Sequence, residues 1–385
     1  MATEEITLRS YNKRIDRSRI EKLEQKCEVG PSENTYIFTD TLGEPVCRIR
    51  NSPQYKMLVA ELNNELVGVI QGTIKKATIN CPEESQARVG YILGLRVSPL
   101  HRRKYIGSTL VRTLEQWFIA NDVDFAYMAT GKDNEASVKL FTDKLGFVKL
   151  RTPAILINPV RYHPLHISRE VEIKKLDIEQ AENLYRRCLG STDFFPDDID
   201  RILKNKLSLG TWVAYPRGES WDSEFESNGR FPTSWAILSV WNTGDLFKLR
   251  VGKSSLSCLL YTKILRLLDG VFPWLKISIL PDVFHPFGFY FMYGVHCEGR
   301  KSKALVHGLC IFVHNMATKC SDCKVIATEV GECDVLREHI PHSRYLSRAE
   351  DLWCIKAMKN DQKNTLIKII RTPPPVSLFV DPREV

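Results

Sequence analysis

The stretch LRVSPLHRRKYIGSTL, residues 95–110, most constrains the fold, because it reads as a buried strand that runs through a short basic turn into a helix. The first backbone N–H groups of such a helix are unpaired, and their partial positive charge favours phosphate. Arg102, Arg103 and Lys104 add full charges, and Gly107 lets the backbone approach a ligand without a Cβ in the way. The stretch therefore predicts a phosphate or pyrophosphate site, with a solvated charge run as the alternative. Apolar residues then recur at helical spacing, at Leu110, Val111, Leu114, Trp117 and Phe118.

The pattern around this stretch predicts a mixed α/β sheet over residues 7–160. Residues 14–28 have helical periodicity, and a hairpin follows with Asn63-Asn64 in its turn. A near-continuous apolar strand, VGYILGLRVS, leads into the basic turn. After the helix come the short strand FAYMAT, a second helix in DNEASVKLFTDKLGF that Gly146 closes, and a last strand in PAILINPV.

The second half of the chain, residues 161–371, reads as another α/β domain. Its segment from Leu305 to Val313 reproduces the apolar spacing of the helix after the basic turn. The segment CKVIATE follows it, just as DFAYMATG follows the helix in the first half. One interpretation is a duplicated unit that kept its packing and lost the phosphate turn; the other is that any two strand-helix-strand units resemble one another. Residues 372–385 form a proline-rich tail, which the sequence leaves open as a packed arm or a flexible end.

Composition excludes some classes of protein. A formal charge of +8 over 385 residues suits an anionic ligand, but it falls short of the dense basic surface of a nucleic-acid binder. The charged N-terminal region has no signal-peptide pattern, and no apolar run is long enough to span a membrane. We therefore expect no membrane and no nucleic-acid partner, and a location in the cytoplasm, the nucleus or both.

Eleven cysteines, an odd number without a secretion signal, indicate free thiols in a reducing compartment. Cys320, Cys323 and Cys333, with His314 nearby, have a spacing that partly fits a zinc site. No second ligand pair completes the set, so the sequence predicts no metal.

Two motifs resemble those of the GNAT acyl-CoA N-acyltransferases. The basic turn matches the family's phosphate loop at Arg102 and Gly107, while Tyr105 stands where the first glycine belongs. The downstream helix matches the family's second motif at Asn134 and at its closing Gly-Phe pair, with Phe141 in the place of a tyrosine.

The resemblance is closer to the plant Hookless-type probable N-acetyltransferases, over nearly the whole length. It rests on segments such as KCEVGPSE, DTLGEPVCRIRNSPQYKMLVAE, NKLSLGTWVA, EDLWCIK and VSLFVDPRE. It implies a GNAT domain over residues 1–160, a second domain of undefined role, acetyl-CoA as cosubstrate without a metal, and an amine acceptor on a protein or small molecule. It also implies a link to plant growth regulation.

For the acyl-CoA site, the resemblance implies that the strand at residues 90–98 bends away from the strand at residues 124–129. The pantetheine arm would lie between them, and the amide of Leu95 would polarise the thioester carbonyl. The pyrophosphate would lie on the amides of residues 103–108. The cofactor-binding set is then Leu95, Arg96, Val97, Arg102, Arg103, Lys104, Tyr105, Ile106, Gly107, Ser108, Asn134 and Phe141.

The groups that usually move protons in this family are missing from their usual places. A glutamate six residues before the position of Val97 is replaced by Tyr91, and Phe141 has no hydroxyl for the leaving thiolate. Tyr91, holding a water, and Glu61, near the hairpin, are the candidate catalytic residues. The alternative function is a GNAT-fold regulatory protein that binds CoA or protein partners without turnover.

Overall fold

The structure, a computed structural model, describes residues 6–27, 37–79, 86–221, 232–252, 285–344, 346–347 and 350–385. Part of the segment KCEVGPSE lies outside the described residues. The strands are β1 (Ile6–Ser10), β2 (Ile37–Asp40), β3 (Gln54–Leu62), β4 (Glu65–Thr78), β5 (Gln86–Val97), β6 (Phe125–Gly131), β7 (Val148–Arg151), β8 (Ala154–Pro159), β9 (Val171–Leu176), β10 (Ser208–Pro216), β11 (Trp235–Asn242), β12 (Lys248–Val251), β13 (Gly288–Glu298), β14 (Cys323–Val330) and β15 (Asp351–Ala357). The helices are α1 (Lys13–Lys26), α2 (Ile106–Ala120), α3 (Glu135–Lys139), α4 (Ile178–Leu189), α5 (Ile199–Lys204), α6 (Ser302–Ala317) and α7 (Lys363–Arg371).

The first sheet has the strand order β1-β3-β4-β5-β6-β15-β7, and helix α2 packs on its β4 and β5 strands. The predicted hairpin is confirmed: β3 and β4 pair across Asn63 and Asn64, whose φ values of 50° and 64° suit the two central positions of a type I′ turn. The helix lies close to the sheet because glycines replace side chains beneath it. A Cβ on Gly72 would come within 2.8 Å of Leu114.

The second sheet has the order β9-β10-β11-β13-β14-β8, which repeats the first six positions of the first sheet. The sense of pairing repeats as well, since β5-β6 and β13-β14 are the parallel pairs and the other neighbours are antiparallel. Both sheets also carry a bulge at the same place, at Gly94 in β5 and Gly294 in β13, with φ of 62° and 61°. The predicted GNAT-type mixed sheet with flanking helices is confirmed, and a duplicated origin for the second half stays a prediction.

The two sheets exchange strands. Strand β15, from the second half of the chain, lies between β6 and β7 in the first sheet, whereas β8, from the first half, pairs with β14 at the edge of the second sheet. Each sheet therefore contains residues from both sides of position 160. That the chain divides there into two separately folding domains stays a prediction.

The end of the chain is an arm packed across the body. Leu378, Phe379 and Val380 are buried in the core that both sheets share, and Arg383 is buried beside them. None of the helices in the described part of the chain combines the length and apolar composition that crossing a membrane requires.

Candidate functional site

A cleft opens in the first sheet where its two parallel strands separate. Strands β5 and β6 pair from Val89 and Phe125 only as far as Ile92 and Met128. Beyond that point β5 continues to Val97 and β6 to Gly131 without pairing to each other. Beyond these residues the two strand ends are therefore unpaired with each other, as the family resemblance implied, and this gap in the pairing is called the cleft below.

The bulge in β5 shapes one wall of this cleft. The pairing of β4 with β5 shifts between Val69–Arg96 and Gln71–Leu93, so β5 has one residue more than its partner, and Gly94 adopts the left-handed conformation there. The predicted residues Leu95, Arg96 and Val97 follow the bulge and are all half-buried. The Arg96 guanidinium donates to Glu24 of α1 at 3.2 Å, which closes this wall against the first helix.

Helix α2 begins at the mouth of the cleft, after the exposed side chains of Arg102, Arg103 and Lys104. A Cβ on Gly107 would lie 3.7 Å from Val97 and 3.6 Å from Leu140, so a side chain at this position would point between the strand end and the helix that follows β6. The first amides of α2 and this cationic segment therefore meet at one end of the cleft, which is the arrangement that a pyrophosphate needs.

Tyr105 immediately precedes α2 with φ of 62°, in the left-handed region that costs a tyrosine roughly 1 kcal/mol or more relative to glycine. Its side chain is 74% exposed, with the Lys144 ammonium 5.7 Å from the ring centre. Its carbonyl accepts hydrogen bonds from the side-chain hydroxyls of Ser108 at 2.8 Å and Thr109 at 2.9 Å. The ring therefore points outward, and the strained backbone is fixed by the first turn of the helix.

The two predicted residues of the second motif have structural roles in this conformation. The Asn134 side chain accepts from the Ser137 amide at 3.3 Å and caps α3. Phe141 is buried, with its ring edge-on to Phe147 at 5.1 Å between centroids. Their contact with a cofactor stays a prediction.

Glu61, one of the two candidate bases, lies in an ion-pair network beside the turn of the β3–β4 hairpin. Its carboxylate pairs with Arg9 at 2.8 Å and with Arg19 at 2.5 Å, and Arg9 also holds the buried Asp16. The hydrogen bonds from Arg9 keep the pKa of Glu61 below its ordinary value. Such a carboxylate binds α1 to the sheet and is a poor proton acceptor, so the geometry argues against the predicted catalytic role.

Tyr91, the other candidate, lies at the closed end of the cleft beside a residue that sequence reasoning missed. Its ring is 4.8 Å from that of Tyr127, whose hydroxyl donates to the Glu384 carboxylate at 2.5 Å. Burial raises the pKa of Glu384, while Lys75, 2.7 Å away, opposes that effect. A buried carboxylate from the C-terminal arm therefore lies on Tyr127, whose ring packs against Tyr91.

Two more acidic residues lie at or beside β15. Asp351 opposes Gly131 at the open end of β6, and burial raises its pKa to about 6. Glu329, at the end of β14, accepts from the indole of Trp353 at 3.2 Å, and burial raises its pKa as well. Acidic groups with raised pKa values thus lie near both ends of the cleft, and nothing in the local sequence around them signals this.

The cysteines considered for zinc lie in the second half. Cys323 is buried and donates to the Val325 carbonyl, while Cys333 is exposed. His314 accepts from the backbone amide of Arg161 at 2.9 Å, and burial lowers its pKa. This histidine therefore connects α6 to the chain that leaves β8.

Comparison with known proteins agrees with this geometry. The model of the acetyltransferase (GNAT) family matches residues 18–147. The chain is 46% identical to the probable N-acetyltransferase HLS1 of Arabidopsis thaliana, over 98% of this chain and 99% of that protein. It is 33% identical to the acetyl transferase GW6a of Oryza sativa subsp. japonica, over 98% and 97%.

Solved structures show the same fold at low identity. Saccharomyces cerevisiae N-myristoyltransferase with bound myristoyl-CoA superposes with a TM-score of 0.56 at 10% identity, over 93% of this chain and 80% of that one. The GCN5-related glucosamine N-acetyltransferase region of a fungal multi-domain β-N-acetylglucosaminidase gives 0.55 at 12% identity, over 92% and 38%. The first likeness extends over both sheets.

Proposed function

Because this chain belongs to the acetyltransferase (GNAT) family, we propose that it is an N-acyltransferase that uses acetyl-CoA as the donor and an amine as the acceptor. The observation that carries the proposal is the cleft itself. Strands β5 and β6 stop pairing after Ile92 and Met128, and the bulge at Gly94 follows in β5. Helix α2 begins at the mouth of the cleft. An extended acyl-pantetheine arm needs such an opening, and its pyrophosphate needs the helix start.

In this proposal the pyrophosphate lies on the amides of residues 103–108, with Arg102, Arg103 and Lys104 supplying charge. The pantetheine arm lies along residues 95–97, where the β5 backbone has no β6 partner. The amide of Leu95 would donate to the thioester oxygen as negative charge develops on it.

The chemical step needs a group that takes a proton from the acceptor. An amine attacks the thioester carbonyl, the C–S bond breaks, and the proton that the nitrogen loses must reach a base while the thiolate leaves and is protonated to the thiol. We assign the proton acceptor to the pair of Tyr127 and Glu384, because a carboxylate with a raised pKa holds a proton more readily at neutral pH. Tyr91 would then line the acceptor side of the cleft.

The competing proposal is a GNAT-fold protein that binds CoA or protein partners without turnover. The observations in its favour are the strained backbone at Tyr105 and the absence of a hydroxyl at Phe141. A regulatory role in plant growth is compatible with either proposal and rests on the family resemblance. Release of the CoA thiol from acetyl-CoA, in the presence of peptides with free lysine amines, separates the two.

The first experiment is calorimetric titration of the full chain with acetyl-CoA, alongside the Gly107→Asp and Gly107→Ala variants. The space around a Cβ at this position accommodates alanine, so Gly107→Ala is the matched control for the fold. We expect the wild type to bind, Gly107→Ala to bind more weakly because its Cβ stands between the backbone and the ligand, and Gly107→Asp to lose binding because its carboxylate repels the phosphates. Equal affinity for all three proteins would refute the phosphate-turn assignment.

A further inference from the structure

A second cluster of chemically active side chains lies on the other sheet, outside the proposed acyl-CoA cleft. Cys188 is in the last turn of α4, and His296 and Glu298 are two residues apart on β13, so their side chains leave the same face of that strand. One donor atom from each of the three lies within 4.8 Å of the other two. No local pattern in the sequence indicates this cluster, because Cys188 is more than a hundred positions from the other two members.

The cluster lies at the counterpart of the acyl-CoA cleft. In the first sheet, Arg96 is two residues after the bulge glycine and reaches back to Glu24 near the end of α1. In the second sheet, His296 is two residues after Gly294 and lies against the end of α4. Among the residues that the structure describes in the second half, no basic segment followed by a glycine like Gly107 leads into α6. Where the first half has the ion pair of Arg96 and Glu24, the second half has the imidazole of His296 and the thiol of Cys188.

The histidine is positioned as a ligand and lacks a full set of hydrogen bonds. Its Nε2 is 3.5 Å from the nearer oxygen of Glu298, and its ring lies 5.6 Å from that of Trp235. Among the described residues no group pairs with its buried Nδ1.

We propose that Cys188, His296 and Glu298 form a zinc-binding site. A thiolate, an imidazole and a carboxylate are the donor types that zinc takes in proteins, and the mixture of soft and hard donors disfavours magnesium and calcium. Bond lengths of about 2.0–2.3 Å place the donors of a tetrahedral ion closer together than 4.8 Å, so the three side chains would contract slightly onto the ion.

The site would keep one coordination position open. Three protein ligands leave the fourth position of a tetrahedral zinc ion to water or to a donor from another molecule. The Glu298 side chain is 51% exposed, which gives the ion a route from solvent, while Cys188 and His296 lie deeper. The sequence predicted no metal, but that prediction weighed Cys320, Cys323 and Cys333, and the proposed ligands are different residues.

The test is titration of the reduced full chain, stripped of metal, with zinc and with cobalt. Cobalt reports thiolate ligation directly through its charge-transfer absorption. The variants are Cys188→Ser, His296→Gln and Glu298→Gln, and the matched controls are Cys333→Ser and His307→Gln, which change an exposed cysteine and an exposed histidine. Circular dichroism of each metal-free protein establishes that the variants fold.

We expect one zinc ion per chain in the wild type and in both controls. Loss of Cys188 or His296 should weaken binding by about 100-fold or more, and Glu298→Gln by about 10-fold, since even outer partners of a metal site contribute 10- to 100-fold. At saturating cobalt, the thiolate band should be absent from Cys188→Ser and present in His296→Gln and Glu298→Gln. No stoichiometric zinc in the wild type, or equal affinity in folded Cys188→Ser and His296→Gln, would overturn the proposal. Neither result depends on acetyl-CoA binding.

Discussion

Tyr127 and Glu384 are 257 positions apart in the chain, yet the tyrosine hydroxyl donates to the carboxylate at 2.5 Å. Tyr127 is on β6, at the point where that strand leaves β5, and Glu384 is on the arm that crosses the body after α7. Their contact places an acidic group at the closed end of the cleft in the first sheet. The C-terminal arm is therefore part of the candidate site as well as of the core.

The first prediction concerns catalysis by Glu384. Replacing it with glutamine keeps an acceptor for the Tyr127 hydroxyl but removes the base, so we expect acetyl transfer to fall by about 100-fold or more while acetyl-CoA binding is unchanged. The measurement is thiol release from acetyl-CoA with lysine-containing peptides. The control is Glu182→Gln, which removes a surface carboxylate paired with Arg186. Equal rates for the two variants would exclude Glu384 as the base.

The second prediction concerns backbone strain at Tyr105. Glycine adopts φ of 62° freely, whereas alanine there keeps the steric cost, so Tyr105→Gly should be more stable than Tyr105→Ala by about 1 kcal/mol. Urea unfolding of both variants measures the difference. If alanine were as stable as glycine, the left-handed conformation at this position would be refuted.

The third prediction concerns the buried ion network that holds the arm. Lys75, 4% exposed, pairs with Asp381 at 3.1 Å and Glu384 at 2.7 Å, and Arg383 pairs with Asp381 at 2.7 Å. Lys75→Met leaves the buried Glu384 without this cation and Asp381 with Arg383 alone, so we expect a loss of about 3–5 kcal/mol in the free energy of unfolding. The exposed pair of Lys204 and Asp200 is the comparison, because Lys204→Met should cost no more than about 1 kcal/mol. Similar losses in urea unfolding would contradict the network's role.

The fourth prediction concerns the pH dependence of stability. Burial raises the pKa of Asp334 to about 6, so the folded chain favours its protonated form. The stability that the folded chain gains from protonated Asp334 is fully present below the unfolded-state pKa of about 3.9. It is lost as the pH rises through 6. Asp334→Asn, which can still accept from the Leu336 amide, should therefore gain stability relative to the wild type between pH 4 and pH 7, by up to about 3 kcal/mol. A difference independent of pH would contradict this.

The fifth prediction concerns the division of the chain at residue 160. A fragment of residues 1–160 lacks β15, so β6 and β7 lose the strand that joins them, and β8 has no partner sheet. We expect this fragment to aggregate or to lack a cooperative unfolding transition, in contrast to the full chain. Gel filtration and thermal unfolding followed by circular dichroism test this. A monomeric fragment that unfolds cooperatively would support an independent first domain.

The sequence could predict those parts of the fold that local patterns encode. Helix α2 follows from apolar residues at helical spacing, the hairpin from Asn63-Asn64, and the phosphate turn from a strand that runs into a basic segment before Gly107. Each of these features depends on residues that are close together in the chain, so the spacing of apolar and turn residues in the sequence predicts it directly.

Only the tertiary structure decided which distant segments meet. No local pattern indicates that β15 enters the first sheet and β8 the second. Hydrophobic alternation determines which face of a strand is buried, but it does not determine which other strand it pairs with. The same holds for Glu384 beside Tyr127, and for Cys188 beside His296 and Glu298. The sequence by itself determined the elements and the turn that suits a phosphate. The groups beside them were decided by packing, since burial of apolar surface between the two sheets brings together residues far apart in the chain.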